Sequence, residues 1–190
     1  MRIYIIAAVA AMLITTVSAH IKGGIENAEV RQKNGKNRSC KNPNNIVLAA
    51  MACIEAEDVG CSAAYAPGFK KIHNEIESIL VLNEEMWQGT FLFLDLKLET
   101  RYIATIGENQ VSYRYIESVI TSDGANLGLA PSATYPFSQT FIQHKHALVT
   151  LDDDCKILTW DQYGDNQEQR EIDEVVAAML CILGLGPVGC

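Results

Sequence analysis

The stretch that most constrains the fold is Phe137–Asp173, FSQTFIQHKHALVTLDDDCKILTWDQYGDNQEQREID. Two apolar, β-forming runs, Thr140–Leu151 and Cys155–Tyr163, flank the acidic turn Asp152-Asp153-Asp154. The polar segment after Tyr163 then opens a helix over about residues 167–183. Ile172, Val175, Val176, Met179 and Leu180 recur there at helical spacing, as in a packed closing helix. No other part of the chain sets polar side chains so densely among β-forming residues. The stretch therefore predicts a pocket-forming hairpin, but it names no substrate.

The rest of the chain divides into a helical half and a β-rich half. IVLAAMACIEAED, with Asn44 or Asn45 as N-cap, reads as a helix that is apolar nearly all round before Glu55, which implies deep burial. Pro67 opens a second predicted helix. Phe69, Ile72, Ile76, Ile79 and Leu80 supply its apolar face, and Gly89 ends this half. Strands are predicted over Thr90–Leu98, Arg101–Ile106 and Val111–Thr121, punctuated by Gly107-Glu108-Asn109 and Ser122-Asp123-Gly124. Helices followed by a curved antiparallel meander give an α+β architecture.

Residues 1–19 have the pattern of a secretory signal peptide: Arg2, an uncharged apolar run from Ile3 to Val17, and the small residues Val17-Ser18-Ala19 before His20. The run is shorter than the ~20 residues a spanning helix needs, so no stable membrane insertion is expected. Residues 20–43 form a polar arm, and 44–190 a folded domain. All six cysteines lie beyond residue 19, which favours disulfides in a secreted chain and leaves their pairing open. Asn37-Arg38-Ser39 is a glycosylation sequon. The C-terminal run VVAAMLCILGLGPVGC, preceded by polar Asn166–Glu174, offers GPI anchoring as the alternative to free secretion. A net charge of −8 without an aromatic-basic stripe argues against nucleic acid as a partner.

A family resemblance rests on residues spread over roughly 44–183. Asn109-Gln110-Val111-Ser112-Tyr113-Arg114 is followed by Thr121-Ser122-Asp123-Gly124, the strand start Lys156-Ile157, Trp160, and Asp165 before the closing helix. In that order and spacing the chain resembles the SnoaL-like group of the NTF2-like superfamily. The resemblance implies a cone-shaped α+β barrel, with N-terminal helices on a curved antiparallel sheet and a closing C-terminal helix around one apolar pocket. Members include polyketide cyclases, ketosteroid isomerases, dehydratases, epoxide hydrolases and non-catalytic binding modules, so the fold alone does not decide function. Cys155 stands where the family often has a turn glycine before Lys-Ile. Asp165 lies one residue further from Trp160 than in the cyclases, which leaves Asp161 as a competing acid/base carrier.

The candidate catalytic residues are His144, His146, Asp161 and Asp165. His144 and His146 share one strand face with Ile142 and Leu148. Lys145, on the other face, is the residue least expected inside, so the histidines are placed toward the pocket, where imidazoles can move protons near neutral pH. A His-x-His pair can also hold a metal, with Asp161, Glu117 or His73 as third ligand, but no metal site is assigned. Asp161 and Asp165 bracket Gln162-Tyr163-Gly164. Either can abstract a proton beside a carbonyl, or simply end a strand or cap the helix. Tyr113, Tyr115, Tyr163 and Trp160 are the candidate substrate-binding residues. The more aromatic face of the Val111–Thr121 strand puts Tyr113 and Tyr115 inward and Arg114 outward. No nucleophile elbow, P-loop or dinucleotide fingerprint occurs, and no cofactor is expected. The expected function is binding of a small apolar molecule, with cofactor-free lyase or isomerase chemistry of the cyclase or dehydratase type. The alternative is a non-catalytic ligand-binding or dimeric interaction module, and a homodimer is the assembly considered.

Overall fold

The computed structural model describes residues 39–79, 82–129 and 136–184. The expected signal peptide, the Asn37 sequon and the chain from residue 185 lie outside the described residues. Helix α1 spans Pro43–Glu55 and starts one residue before the expected cap. Proline suits a first helical turn because its missing N–H would lack an intrahelical partner there anyway. Asn42, before it, is left-handed (φ 56°) and makes no side-chain cap. Only one stripe of α1 is buried, through Val47, Ala50, Met51 and Ile54, whereas Ala49 and Ala52 face solvent. The expectation of burial nearly all round is corrected: alanines tolerate either environment and do not mark a side.

The second predicted helix is instead a β-hairpin, β1 (Tyr65–His73) and β2 (Ile76–Ile79). Pro67 and Gly68 (φ 80°) break helical continuity at its start. Asn74 and Glu75 join the strands with φ of 47° and 72°. Positive φ at both central residues is the two-residue turn whose twist matches paired strands. A short apolar run satisfies helical and alternating patterns alike, and here the turn decides between them.

Helix α2 (Glu84–Phe93) replaces the start of the first predicted strand. The Asn83 side chain accepts from the Met86 N–H at 2.8 Å, and Glu84 and Glu85 complement the helix dipole. β3 then runs unbroken from Leu94 to Gly107, β4 from Gln110 to Thr121, β5 from Thr140 to Leu151 and β6 from Ile157 to Tyr163. Helix α3 closes the chain over Asn166–Ile182.

The strands form one six-stranded sheet in the order β2-β1-β6-β5-β4-β3. All neighbours are antiparallel except β1 and β6, which run parallel. Register shifts interrupt β1–β6, β3–β4 and β5–β6, and such irregularities bend a sheet. Two apolar clusters fill the helix-covered face. One joins Val47 and Met51 of α1 and Trp87 of α2 to Tyr113, Val149 and Trp160. The other joins Ile172, Val176 and Met179 of α3 to Phe93, Val119 and Phe137.

Disulfides fasten the ends. Cys40–Cys155 ties the entry to α1 to the β5–β6 turn, and Cys53–Cys61 closes α1 onto the 3-10 turn Val59–Ala64. Cys181 is also disulfide-bonded. Cys155 has φ 61°, the left-handed conformation glycine takes most easily. Asp152 supports this turn by accepting from the N–H groups of Asp154 and Lys156 at 3.0 and 2.8 Å.

Candidate functional site

Strand alternation decides which side chains face the helices. On β4 these are Val111, Tyr113, Tyr115, Glu117 and Val119; on β5, Gln143, Lys145, Ala147 and Val149; on β6, Trp160 and Gln162. Register places Lys71 beside Trp160 and His73 beside Gln162, so β1 presents both of these residues to the same face. Between the sheet and the three helices lies a cavity of about 150 Å³. Its walls are apolar and aromatic, with Phe69, Trp87, Leu96 and Trp160 prominent, and into it project Lys71, Tyr115, Glu117, Gln143, Lys145 and Gln162.

The electrostatic centre is an ion pair in which the Lys145 ammonium donates to Glu117 Oε2. The two side chains are 4% and 16% exposed, so water screens the pair weakly. Burial pushes the Glu117 carboxyl up, but Lys145, Lys71 and His73 together outweigh it and hold the group below the usual carboxylate range. Burial, then the charge of Lys145, brings the Lys71 amine down to about 8. Burial, then Lys71 and Lys145, lowers His73 to about 4, so its imidazole is neutral at neutral pH. Burial also raises the Tyr115 hydroxyl well above its ordinary value.

A hydrogen-bonded chain leads outward from the cavity. The Tyr115 hydroxyl donates to Gln162 Oε1 at 3.3 Å, and the Gln162 amide meets His73 Nδ1 at 2.8 Å. His73 Nε2 lies 3.2 Å from the Asn74 amide, which donates to the Gly164 carbonyl at 3.1 Å. Two buried polar atoms of cavity-lining residues, Trp87 Nε1 and Gln143 Oε1, have no hydrogen-bond partner among the described residues. A buried donor and a buried acceptor without partners each cost stability that a hydrogen-bonding ligand can restore.

The structure divides the residues singled out from sequence. Tyr115 and Trp160 line the cavity. Tyr113 is fully buried beside them, stacked on Tyr115, with its hydroxyl 3.0 Å from Thr100 Oγ1. His144 and His146 are exposed on the opposite face, where His146 Nε2 lies 3.0 Å from Ser112 Oγ. The expected strand parity is therefore reversed. Lys145 is the buried residue because Glu117 awaits it on β4, and Gln143, Ala147 and Val149 go in with it. Asp161 is also on the outer side of β6, with Tyr163, whose hydroxyl donates to Asp161 Oδ2 at 3.5 Å; Tyr163 is 46% exposed. Asp165 caps α3 by accepting from the Gln167 N–H at 2.7 Å. Among the described residues, no group of three or more His, Cys, Asp or Glu side chains is arranged to hold a metal ion.

The residues that sequence reasoning missed are Lys71, Gln143, Lys145 and Gln162. Glu117 enters the sequence reading only as a third metal ligand. The missed signal was parity: Glu117 stands on the same strand face as Tyr113 and Tyr115, and an acid on an inward aromatic face calls for an inward cation.

No protein-family model and no curated protein matches this sequence. Solved structures do match. A candidate hydroxylase of Streptomyces galilaeus, AclR, superposes with a TM-score of 0.50 at 17% identity, over 76% of this chain and 86% of that one. The epoxide hydrolase/cyclase-like enzyme SalBIII, of pyran-ring formation in salinomycin, superposes with a TM-score of 0.50 at 9% identity, over 66% of this chain and 92% of that one. An NTF2-like protein of unknown function from Cytophaga hutchinsonii gives 0.45 at 13% identity, over 67% and 94%. The chain shares the α+β fold of AclR and SalBIII: a curved, mainly antiparallel sheet with helices over one face.

Proposed function

We propose that the cavity binds a small, largely apolar molecule carrying a carbonyl group, and that the protein acts on it as a cofactor-free lyase or isomerase. One observation carries this reading: a buried Lys145–Glu117 pair projects into a cavity whose walls are mainly apolar and aromatic. Burying two charges costs roughly several kcal/mol per ion before pairing, and apolar residues would fill the same space without that cost. A functional role explains why the charges are there. An apolar cavity of about 150 Å³ is the size that accepts one benzene-like ring, so the enclosed part of the ligand is a single ring or short chain.

The roles follow from the chemistry of each group. The Lys145 ammonium can hydrogen-bond a carbonyl oxygen and stabilise negative charge that develops on it. Glu117, held ionised, stays in the form that accepts a proton from the carbon next to that carbonyl. Trp160 and Trp87 supply apolar walls. The disulfides suit the secreted location expected from residues 1–19, which we retain as part of the proposal.

Deuterium uptake tests the chemistry. Cyclohexanone incubated with the protein in D2O is expected to exchange its α-protons faster than in buffer, and Glu117→Gln to abolish the acceleration. The double variant Glu117→Leu/Lys145→Met removes both charges of the pair together and serves if Glu117→Gln does not fold. An exchange rate unchanged by the wild-type protein would overturn the catalytic reading.

The outer sheet face carries the exposed apolar side chains Tyr102, Ile142 and Tyr163. Exposed apolar groups gathered on one face favour association, so this face is the one we propose for the homodimer. Analytical ultracentrifugation of wild type and Tyr163→Glu is the test: a wild-type monomer contradicts it.

A further inference from the structure

Lys71 differs from the other lysines around it. Its neighbour Lys70 pairs with Glu77 on the hairpin at 2.8 Å, and Lys145 pairs with Glu117. Lys71 lines the cavity, yet its amine makes no ion pair or hydrogen bond among the described residues. Around it are the ammonium of Lys145 on β5, the carboxylates of Glu117 on β4 and Asp173 on α3, and the neutral imidazole of His73 on its own strand.

We propose that Lys71 is the covalent group of this cavity, capturing a small aldehyde or ketone as a Schiff base. This rests on the reading of the cavity as a ligand site and deepens it. An amine is a nucleophile only when neutral, and enzymes reach that state by desolvating a lysine beside a second cation. Both conditions hold at Lys71, and its lowered proton affinity leaves about a tenth of it neutral at pH 7.

The step balances with groups already present. The Lys71 nitrogen lone pair adds to the carbonyl carbon, a C–N bond forms, and the carbonyl π electrons move to oxygen. Proton transfer from nitrogen to oxygen gives a neutral carbinolamine. The Lys145 ammonium then gives one proton to the carbinolamine hydroxyl, the C–O bond breaks, and water leaves. The product is an iminium ion on Lys71, and solvent restores the proton to Lys145. The Glu117 carboxylate faces the new positive charge. The iminium draws electrons from the adjacent carbon, which makes an α-proton easier to remove. The substrate class is therefore small aldehydes and ketones with an α-hydrogen.

Reductive trapping tests this. The intact protein is incubated with cyclohexanone and sodium cyanoborohydride at pH 7.5, and the labelled lysine is located by peptide mass mapping. The expected result is one cyclohexyl group on Lys71, with labelling about tenfold or more above Lys70, whose amine is exposed and ion-paired. Excess cyclohexanol, which fits the cavity but has no carbonyl, is expected to protect Lys71 in the wild-type protein. Lys71→Arg is expected to lose the label. Label spread evenly over the lysines, or found on Lys145, would overturn the proposal. If cyclohexanone perturbs the cavity tryptophans yet leaves Lys71 unlabelled, the covalent step fails and the ligand site stands. If it does neither, both readings fail.

Discussion

Glu117 on β4 and Lys145 on β5 form an ion pair although they are not cross-strand neighbours. Lys145 stands opposite Tyr115, and Glu117 opposite Gln143, so the lysine reaches one residue pair along the cavity floor. Diagonal neighbours on a sheet are within reach of a long side chain. The contact sets the inward face of β5, and the consequences of that face are measurable.

Removing one partner leaves the other charged, buried and unpaired. Glu117→Gln is expected to lower unfolding stability by ~3–5 kcal/mol, whereas Glu117→Leu/Lys145→Met is expected to be close to neutral or stabilising. Urea denaturation of the three proteins gives both values. Equal losses in the single and double variants would mean that the pair is not desolvated as described.

Stability should climb with pH in two separate windows. Folded His73 releases its proton near 4 rather than 6.5, so between these values the unfolded chain binds more protons and stability rises with pH. Folded Lys71 does the same between about 8 and 10.5, by an amount of roughly 1–3 kcal/mol. Tyr65 and Tyr115 act in the opposite direction above pH 10, because burial keeps them protonated in the fold. The clean window for Lys71 is therefore pH 8 to 10. Lys71→Met should flatten the rise there and, because the Lys71 charge helps to lower His73, narrow the acid window without abolishing it, since burial and Lys145 still act on His73, as read by denaturant titrations at each pH.

The two described disulfides should differ in weight. Chain-entropy arguments give ~5 kcal/mol for Cys40–Cys155, which closes a separation of 115 residues, and ~2.5 kcal/mol for Cys53–Cys61, with a separation of 8. Paired serine variants compared in thermal melts check the order. A larger loss from the short loop would contradict the account of Cys40–Cys155 as the tether between α1 and the β5–β6 turn.

His144→Ala/His146→Ala tests the face assignment. Both side chains are exposed on the far side of the sheet, so the double variant should keep its ligand response and change stability by no more than ~0.5 kcal/mol. Loss of the cyclohexanone response would place the histidines on the cavity side after all.

The β-rich half and the closing helix were legible because their patterns are long. β4, β5, β6 and α3 each repeat one period over many residues, and turn signals at Asp123-Gly124 and Asp152–Asp154 bound them. The β1–β2 hairpin was not legible, since Phe69, Ile72, Ile76 and Ile79 fit a helical face and only the paired positive-φ turn at Asn74-Glu75 excludes it. Helix α2 was hidden because Thr90–Phe93 has strong strand propensity, and the Asn83 cap that overrides it lies upstream. On the candidate site, tyrosine parity was readable from one strand. Histidine parity was not, because β5 has no cleanly polar face and the answer depends on Glu117 of another strand.

The most direct measurement of the central claim uses a feature of composition. The chain has two tryptophans, Trp87 and Trp160, and both line the cavity. Tryptophan emission, excited selectively over tyrosine, therefore reports on the cavity walls. Titration with cyclohexanone is predicted to give a saturable change in tryptophan emission in the wild-type protein, and none in a folded Val119→Phe variant, whose larger side chain fills the cavity. A linear, non-saturating response, or the same response in both proteins, would contradict the assignment of this cavity as the ligand site.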